Sequence, residues 1–218
     1  METESYAKSF QSEEAVQKYE KIIYSDDSYD SFIWNIESHK VVSIFRARAR
    51  HSDEIVNLDY ACGTGRIISL LEKFTKESSG IDVSEQMISV ARGKVSKAKL
   101  VVGDISENEE ILEPRYDIIT LFRYVLNAEP ASRKIILSHL AARLDSESGR
   151  LIFNGQGNKH SLRHVTLQFC PNSNERINEM SYGKTRKLIE SCGLEIISWY
   201  GFGVLLPFLH SSWICTTS

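Results

Sequence analysis

The chain has 218 residues, 42% of them apolar and 25% charged, with a formal net charge of −3. That length supports one domain with a sizeable core, and the mild acidity excludes a general polyanion-binding surface. Four cysteines (Cys62, Cys170, Cys192 and Cys215) form no CxxC pair, which argues against a zinc knuckle or a disulfide framework. The apolar run at 202–209 is too short to span a bilayer and contains Pro207, and no apolar signal core follows Met1. The expectation is a cytoplasmic protein with no membrane insertion.

In chain order, Ser12 caps a short helix running to Ile23, and an acidic, tyrosine-rich link follows at 24–30. A second helix is predicted over about 31–50, with Phe32, Ile36, Val41, Ile44 and Phe45 available for burial. Its basic end, Arg46 to Arg50, complements the helix dipole better than it suits a nucleic acid, given the net acidity. From residue 54 strands alternate with helices. Strands are predicted at 54–59, 78–82, 99–103, 116–122, 149–154 and 194–202, and helices at 65–75, 84–97, 130–144 and 181–192. Such alternation implies a doubly wound, mostly parallel α/β sheet with helices on both faces. Residues 1–50 are expected to form a helical extension, and 51–218 the main domain.

The stretch NLDYACGTGR, residues 57–66, is a tight strand-to-helix turn of residues with little side chain. It lets a ligand approach the backbone near a helix N-terminus. Asp82 ends the second predicted strand and suits the two hydroxyls of a ribose. Gly103-Asp104-Ile105 ends the third, where a carboxylate can meet an exocyclic amine beside apolar neighbours. An adenosine-containing ligand follows. Dinucleotide oxidoreductases and methyltransferases share the first two features. A GxGxxG fingerprint would need glycine at position 68, where Ile68 stands.

The sequence LDYACGTG resembles the first motif of class I S-adenosylmethionine-dependent methyltransferases. GIDVSEQMI resembles the second, GDI the third, and YDIITLFRYVLNAEP the fourth; together the likeness covers about 54–204. This resemblance implies a Rossmann-like fold with S-adenosylmethionine as cofactor and S-adenosylhomocysteine as product. It implies that Gly63 and Gly65, with Ala61, Cys62 and Thr64 of the same turn, lie against the methionine part. Asp59 would help orient the turn and the cofactor's amino group. By the same carry-over, Asp82 binds the ribose, Asp104 the adenine, and Val83, Met87 and Ile105 add apolar surface, with Phe122 beside them. Ala61 replaces the family's usual first glycine, a change that a negative φ would accommodate. FRYVLNAEP, NGQGNKHSLR and YGFGVLLP further resemble a bacterial subgroup associated with surface-glycan and natural-product pathways. A last antiparallel strand would come from about 211–216, short or missing.

The acceptor is expected beside the ends of the fourth and fifth strands, near Phe122, Arg123, Tyr124, Asn127 and Asn154. His160 is the candidate base and Arg123 the candidate grip for an anionic acceptor, or a partner of Asp117 or Glu129. The His160–His164 pair lacks further ligands, so no metal is expected. Tyr24, Tyr29 and Trp34 are candidates for a lid. The fourth motif lacks an Asn/Asp-Pro-Pro-aromatic turn, which argues against nucleic-acid acceptors. A small-molecule or glycan hydroxyl is the first choice. A non-catalytic binding module and, less favoured, an NAD-dependent oxidoreductase stay open.

Overall fold

The computed structural model describes residues 12–23, 29–48, 55–156, 180–202 and 210–217. Two helices come first, α1 (Glu13–Ile23) and α2 (Tyr29–Arg48). The sheet follows as β1 (Val56–Tyr60), β2 (Glu77–Asp82), β3 (Lys99–Val102), β4 (Ile118–Leu121), β5 (Arg150–Gln156), β6 (Leu194–Phe202) and β7 (His210–Thr217). Between strands lie α3 (Ile68–Leu71), α4 (Glu85–Arg92), α5 (Tyr124–Asn127), α6 (Pro130–Ala142) and α7 (Tyr182–Glu190).

The strand order is β3-β2-β1-β4-β5-β7-β6. β1 to β5 pair in parallel, and β7 runs antiparallel between β5 and β6. The last strand, expected to be short or missing, is therefore an eight-residue element and not an edge. A paired inner position gives its backbone groups partners on both sides, which a local reading of 211–216 cannot reveal.

β1 and β4 carry almost unbroken buried residues, as strands covered on both faces must. Leu58, Tyr60, Ile119, Leu121, Leu137, Leu140 and Phe153 pack one side of the sheet. On the other side Val41 and Phe45 of α2 meet Ile55, Ile67, Leu71, Ile118 and Ile152. Ile33, not Ile36, shares the buried stripe of α2; Ile36 is exposed.

The helix predicted at 65–75 is far shorter. α3 has four residues and no side-chain cap, and it tightens into a 3-10 turn at Glu72–Phe74. The buried Glu72 carboxylate accepts hydrogen bonds from the N–H groups of Ser96, Lys97 and Ala98 and from the Ser96 hydroxyl, at 2.9–3.1 Å. Those bonds fasten the approach to β3 beneath the helix end. α4 starts where Ser84 accepts the Met87 N–H, and α7 where Ser181 accepts that of Lys184.

Candidate active site

Strand order reverses between β1 and β4, and at their carboxyl ends lies a cavity of about 250 Å³. Its floor is the turn after β1. The Cys62 N–H donates to Ile81 O and the Gly65 N–H to Cys62 O, both at 3.0 Å, which curls the chain back over β2. Gly63 has φ +53° and no atom within 4 Å of an ideal Cβ, so open space lies beside its backbone. Gly65 has φ +81°, and a Cβ there would sit 3.0 Å from Ala91 Cβ on α4.

Ala61 corrects the sequence expectation of a negative φ. Its φ is +55°, in the left-handed region that disfavours a Cβ. The turn needs that geometry to leave β1, and the methyl group bears its strain. Arg123 is the second non-glycine residue with positive φ among the described residues, at +61°. Its N–H donates to Asn154 Oδ1 (2.6 Å) and its carbonyl accepts from Asn127 Nδ2 (2.5 Å), so two side chains hold the backbone in place.

Asp59 is fully buried in β1. Its Oδ1 accepts the Thr120 hydroxyl at 2.7 Å, while Oδ2 has no hydrogen-bond partner. Burial pushes its pKa up to about 7, against the opposing pulls of the Thr120 hydroxyl and the Ile68 N–H. Asp82 accepts from Gly63 N–H at 2.8 Å and from Ser84 N–H at 2.9 Å. Burial raises its pKa too, and those donors oppose the rise. Asp104 accepts from the Ser106 N–H and hydroxyl. Tyr60 lies edge-on to Tyr124 with centroids 5.6 Å apart. Burial drives both phenols up, so they line the cavity uncharged.

Asp59, Ala61, Cys62, Gly63, Thr64, Asp82, Val83, Met87, Asp104, Phe122 and Arg123 all face this cavity. Gly65 stands behind it against α4, and Ile105 is buried in the core. His160, His164 and Tyr24 lie outside the described residues, as does the side chain of Tyr29. The N-terminal helices contribute Tyr19, Trp34 and Glu37, so they wall the same cavity as the glycine turn. Sequence reading missed Tyr19, Glu37, Arg66 and Glu129. For Glu37 a signal existed: it sits at four-residue spacing between the buried Ile33 and Val41.

A buried acceptor without a donor, in a cavity that also has open space at a positive-φ glycine, fits an amino-acid moiety held against the turn. The carboxylates ending β2 and β3 fit an adenosine beyond it. Fold and cavity thus define a doubly wound protein that binds a nucleoside-type cofactor. The "Methyltransferase domain" family matches residues 51–188. The chain is similar to the malonyl-[acyl-carrier protein] O-methyltransferase of Bacillus cereus, 27% identical over an alignment of 182 positions that covers 77% of this chain and 65% of that protein. It is also similar to the mitochondrial ubiquinone biosynthesis O-methyltransferase of Saccharomyces cerevisiae, 28% identical over an alignment of 152 positions that covers 67% of this chain and 47% of that one. This chain therefore spans less than two thirds of either relative. In fold it matches the magnesium protoporphyrin IX methyltransferase of Synechocystis PCC 6803 with bound S-adenosylhomocysteine, at TM-score 0.75 and 16% identity over 97% of this chain and 98% of that one. The chain belongs to the methyltransferase-domain family, and what it carries is a class I S-adenosylmethionine-dependent methyltransferase domain. Among the described residues, no helix is long and apolar enough to cross a membrane.

Proposed function

We propose that this protein is a cytoplasmic methyltransferase that methylates an oxygen atom of a small-molecule or glycan acceptor. When bound, S-adenosylmethionine supplies an electrophilic methyl group on a sulfonium. The observation that carries the reading is Asp59 Oδ2, buried without a hydrogen-bond partner in the cavity that the open face of Gly63 also lines. Asp59 receives the cofactor's amino group, Asp82 the ribose hydroxyls and Asp104 the adenine amine, with Val83 and Met87 as apolar walls.

Residues 1–50 act as a cap. Tyr19 of α1 and Trp34 of α2 close the side where the acceptor enters, and Arg123 orients it. Positioning of the acceptor oxygen in line with the methyl supplies much of the rate. His160, after β5, is the proton acceptor the sequence itself offers. The names of the two relatives, both O-methyltransferases, support oxygen as the methylated atom. Acceptors of the surface-glycan or natural-product kind fit the subgroup resemblance.

Calorimetry tests cofactor use: S-adenosylhomocysteine binds and NAD does not. Tight NAD binding without any response to S-adenosylhomocysteine would turn the assignment to an oxidoreductase. Transfer of tritiated methyl to a metabolite extract then tests the chemistry. Label released by base as volatile methanol marks a carboxyl ester, whereas base-stable label that hydriodic acid releases as methyl iodide marks an ether. Strong cofactor binding with no labelled product favours a non-catalytic module.

A further inference from the structure

Helix α2 turns a single stripe toward the sheet: Ile33, Glu37, Val41 and Phe45, four residues apart and all buried. Three are apolar. The fourth is a carboxylate, only 5% exposed, that faces the cavity. Burying such a group is costly unless it is hydrogen-bonded and put to use, and an apolar residue would serve packing better.

Its setting is fixed by a chain of hydrogen bonds. The backbone N–H of Arg123 can only donate, so the Asn154 atom 2.6 Å away is the amide oxygen. The Asn154 amide nitrogen then faces Glu37 and donates to its Oε1 at 3.3 Å. Asn154, itself buried at the end of β5, thereby ties a carboxylate on α2 to the strained Arg123 after β4. Trp34, Phe122 and Arg123 line the same cavity as Glu37, and so does the glycine turn.

We propose that Glu37 is the acceptor-side base, facing the transferred methyl and taking the proton of a neutral hydroxyl, a role that the sequence offered to His160. This rests on the methyltransferase reading above. The acceptor's O–H gives its proton to a Glu37 oxygen, and the freed electron pair forms the O–C bond. The C–S bond breaks with its pair left on sulfur, as a neutral thioether. A carboxylate acceptor is already ionised and needs no base, so the substrate class that uses Glu37 is an alcohol or phenol.

The test compares two ligands on the full chain by calorimetry. S-adenosylhomocysteine has no group at the methyl position, and sinefungin carries a primary ammonium there. The parent protein binds sinefungin about tenfold tighter, because a carboxylate faces the ammonium. In Glu37→Gln that preference falls to about one while S-adenosylhomocysteine affinity changes less than about twofold. Glu37→Met, an uncharged residue of similar length, gives the same result if the glutamine variant does not fold. A preference kept in either folded variant, or missing from the parent, overturns the assignment of Glu37 alone. Unfolding of both variants marks Glu37 as structural and overturns it too. If neither ligand binds the parent, the methyltransferase reading itself fails. In the tritium assay, base-stable product falls about a hundredfold in Glu37→Gln; an unchanged rate, or base-labile label, removes the proton-transfer role.

Discussion

Asp82 accepts a hydrogen bond from the Gly63 N–H at 2.8 Å, joining the end of β2 to the turn after β1. The same carboxylate accepts the Ser84 N–H just before α4, so one side chain braces two loops of the cavity. Substitution by alanine removes both the brace and the proposed ribose acceptor. Asp82→Ala is expected to weaken S-adenosylhomocysteine binding by about 3 kcal/mol in calorimetry. Asp82→Asn keeps one acceptor oxygen and loses less.

With the proposed amino-group contact, Asp59 is expected to make cofactor affinity depend on pH. In the free protein its pKa lies near 7, chiefly through burial, and a cationic amino group beside Oδ2 favours the ionised form. S-adenosylhomocysteine binding should weaken roughly tenfold between pH 8 and pH 6, with proton release at the lower pH. Asp59→Asn removes that slope. A pH-independent affinity in the parent protein would place the amino group elsewhere.

The same group affects stability with the opposite sense. A carboxyl whose folded pKa exceeds its usual 3.8 holds its proton longer in the folded state, so ionisation costs stability as pH rises from about 4 to 7. Thermal unfolding of Asp59→Asn relative to the parent should shift in the variant's favour between pH 5 and pH 8. The full difference is about 4 kcal/mol without cofactor.

Glu72 behaves in reverse. Burial alone would raise its pKa, but the donors from Lys97, Ser96 and Ala98 outweigh it and hold the carboxyl below the ordinary value. Its stabilising bonds are fully present above the unfolded-state pKa and are lost as pH falls through the lowered folded one. Glu72→Gln should cost about 2 kcal/mol at pH 7, and less as the parent is titrated below pH 4.

Positive φ separates two neighbouring small residues. Gly65→Ala adds a Cβ at φ +81° against Ala91 and should destabilise by about 3 kcal/mol in denaturant unfolding. Ala61→Gly relieves a strained φ of +55° and should leave stability equal or raise it by up to about 1 kcal/mol, without loss of S-adenosylhomocysteine binding. A destabilised Ala61→Gly would mean that the methyl group packs better than its backbone strain costs.

Local chemistry sets most of the sheet. Buried apolar runs, the glycine turn and the acids at the ends of β2 and β3 are properties of short segments, so the alternation, an adenosine-containing ligand and the carboxylates facing the cavity were legible from residue order, while the cofactor itself came from the family resemblance. What depends on distant neighbours was not. The sign of φ at Ala61 follows from where β1 must deliver the chain over β2, and the length of α3 from bonds that Glu72 makes with residues 96–98. β7 takes its place by pairing with strands on both sides, through hydrogen bonds that no local pattern encodes. Glu37 lies 117 positions before Asn154, and only the packing of α2 on the sheet brings the two together at the cavity. Side-chain type and spacing thus determined the glycine turn and the acids that follow it, whereas tertiary contacts alone brought Tyr19, Trp34, Glu37 and Asn154 to the same cavity, because those residues come from segments that share no local sequence signal.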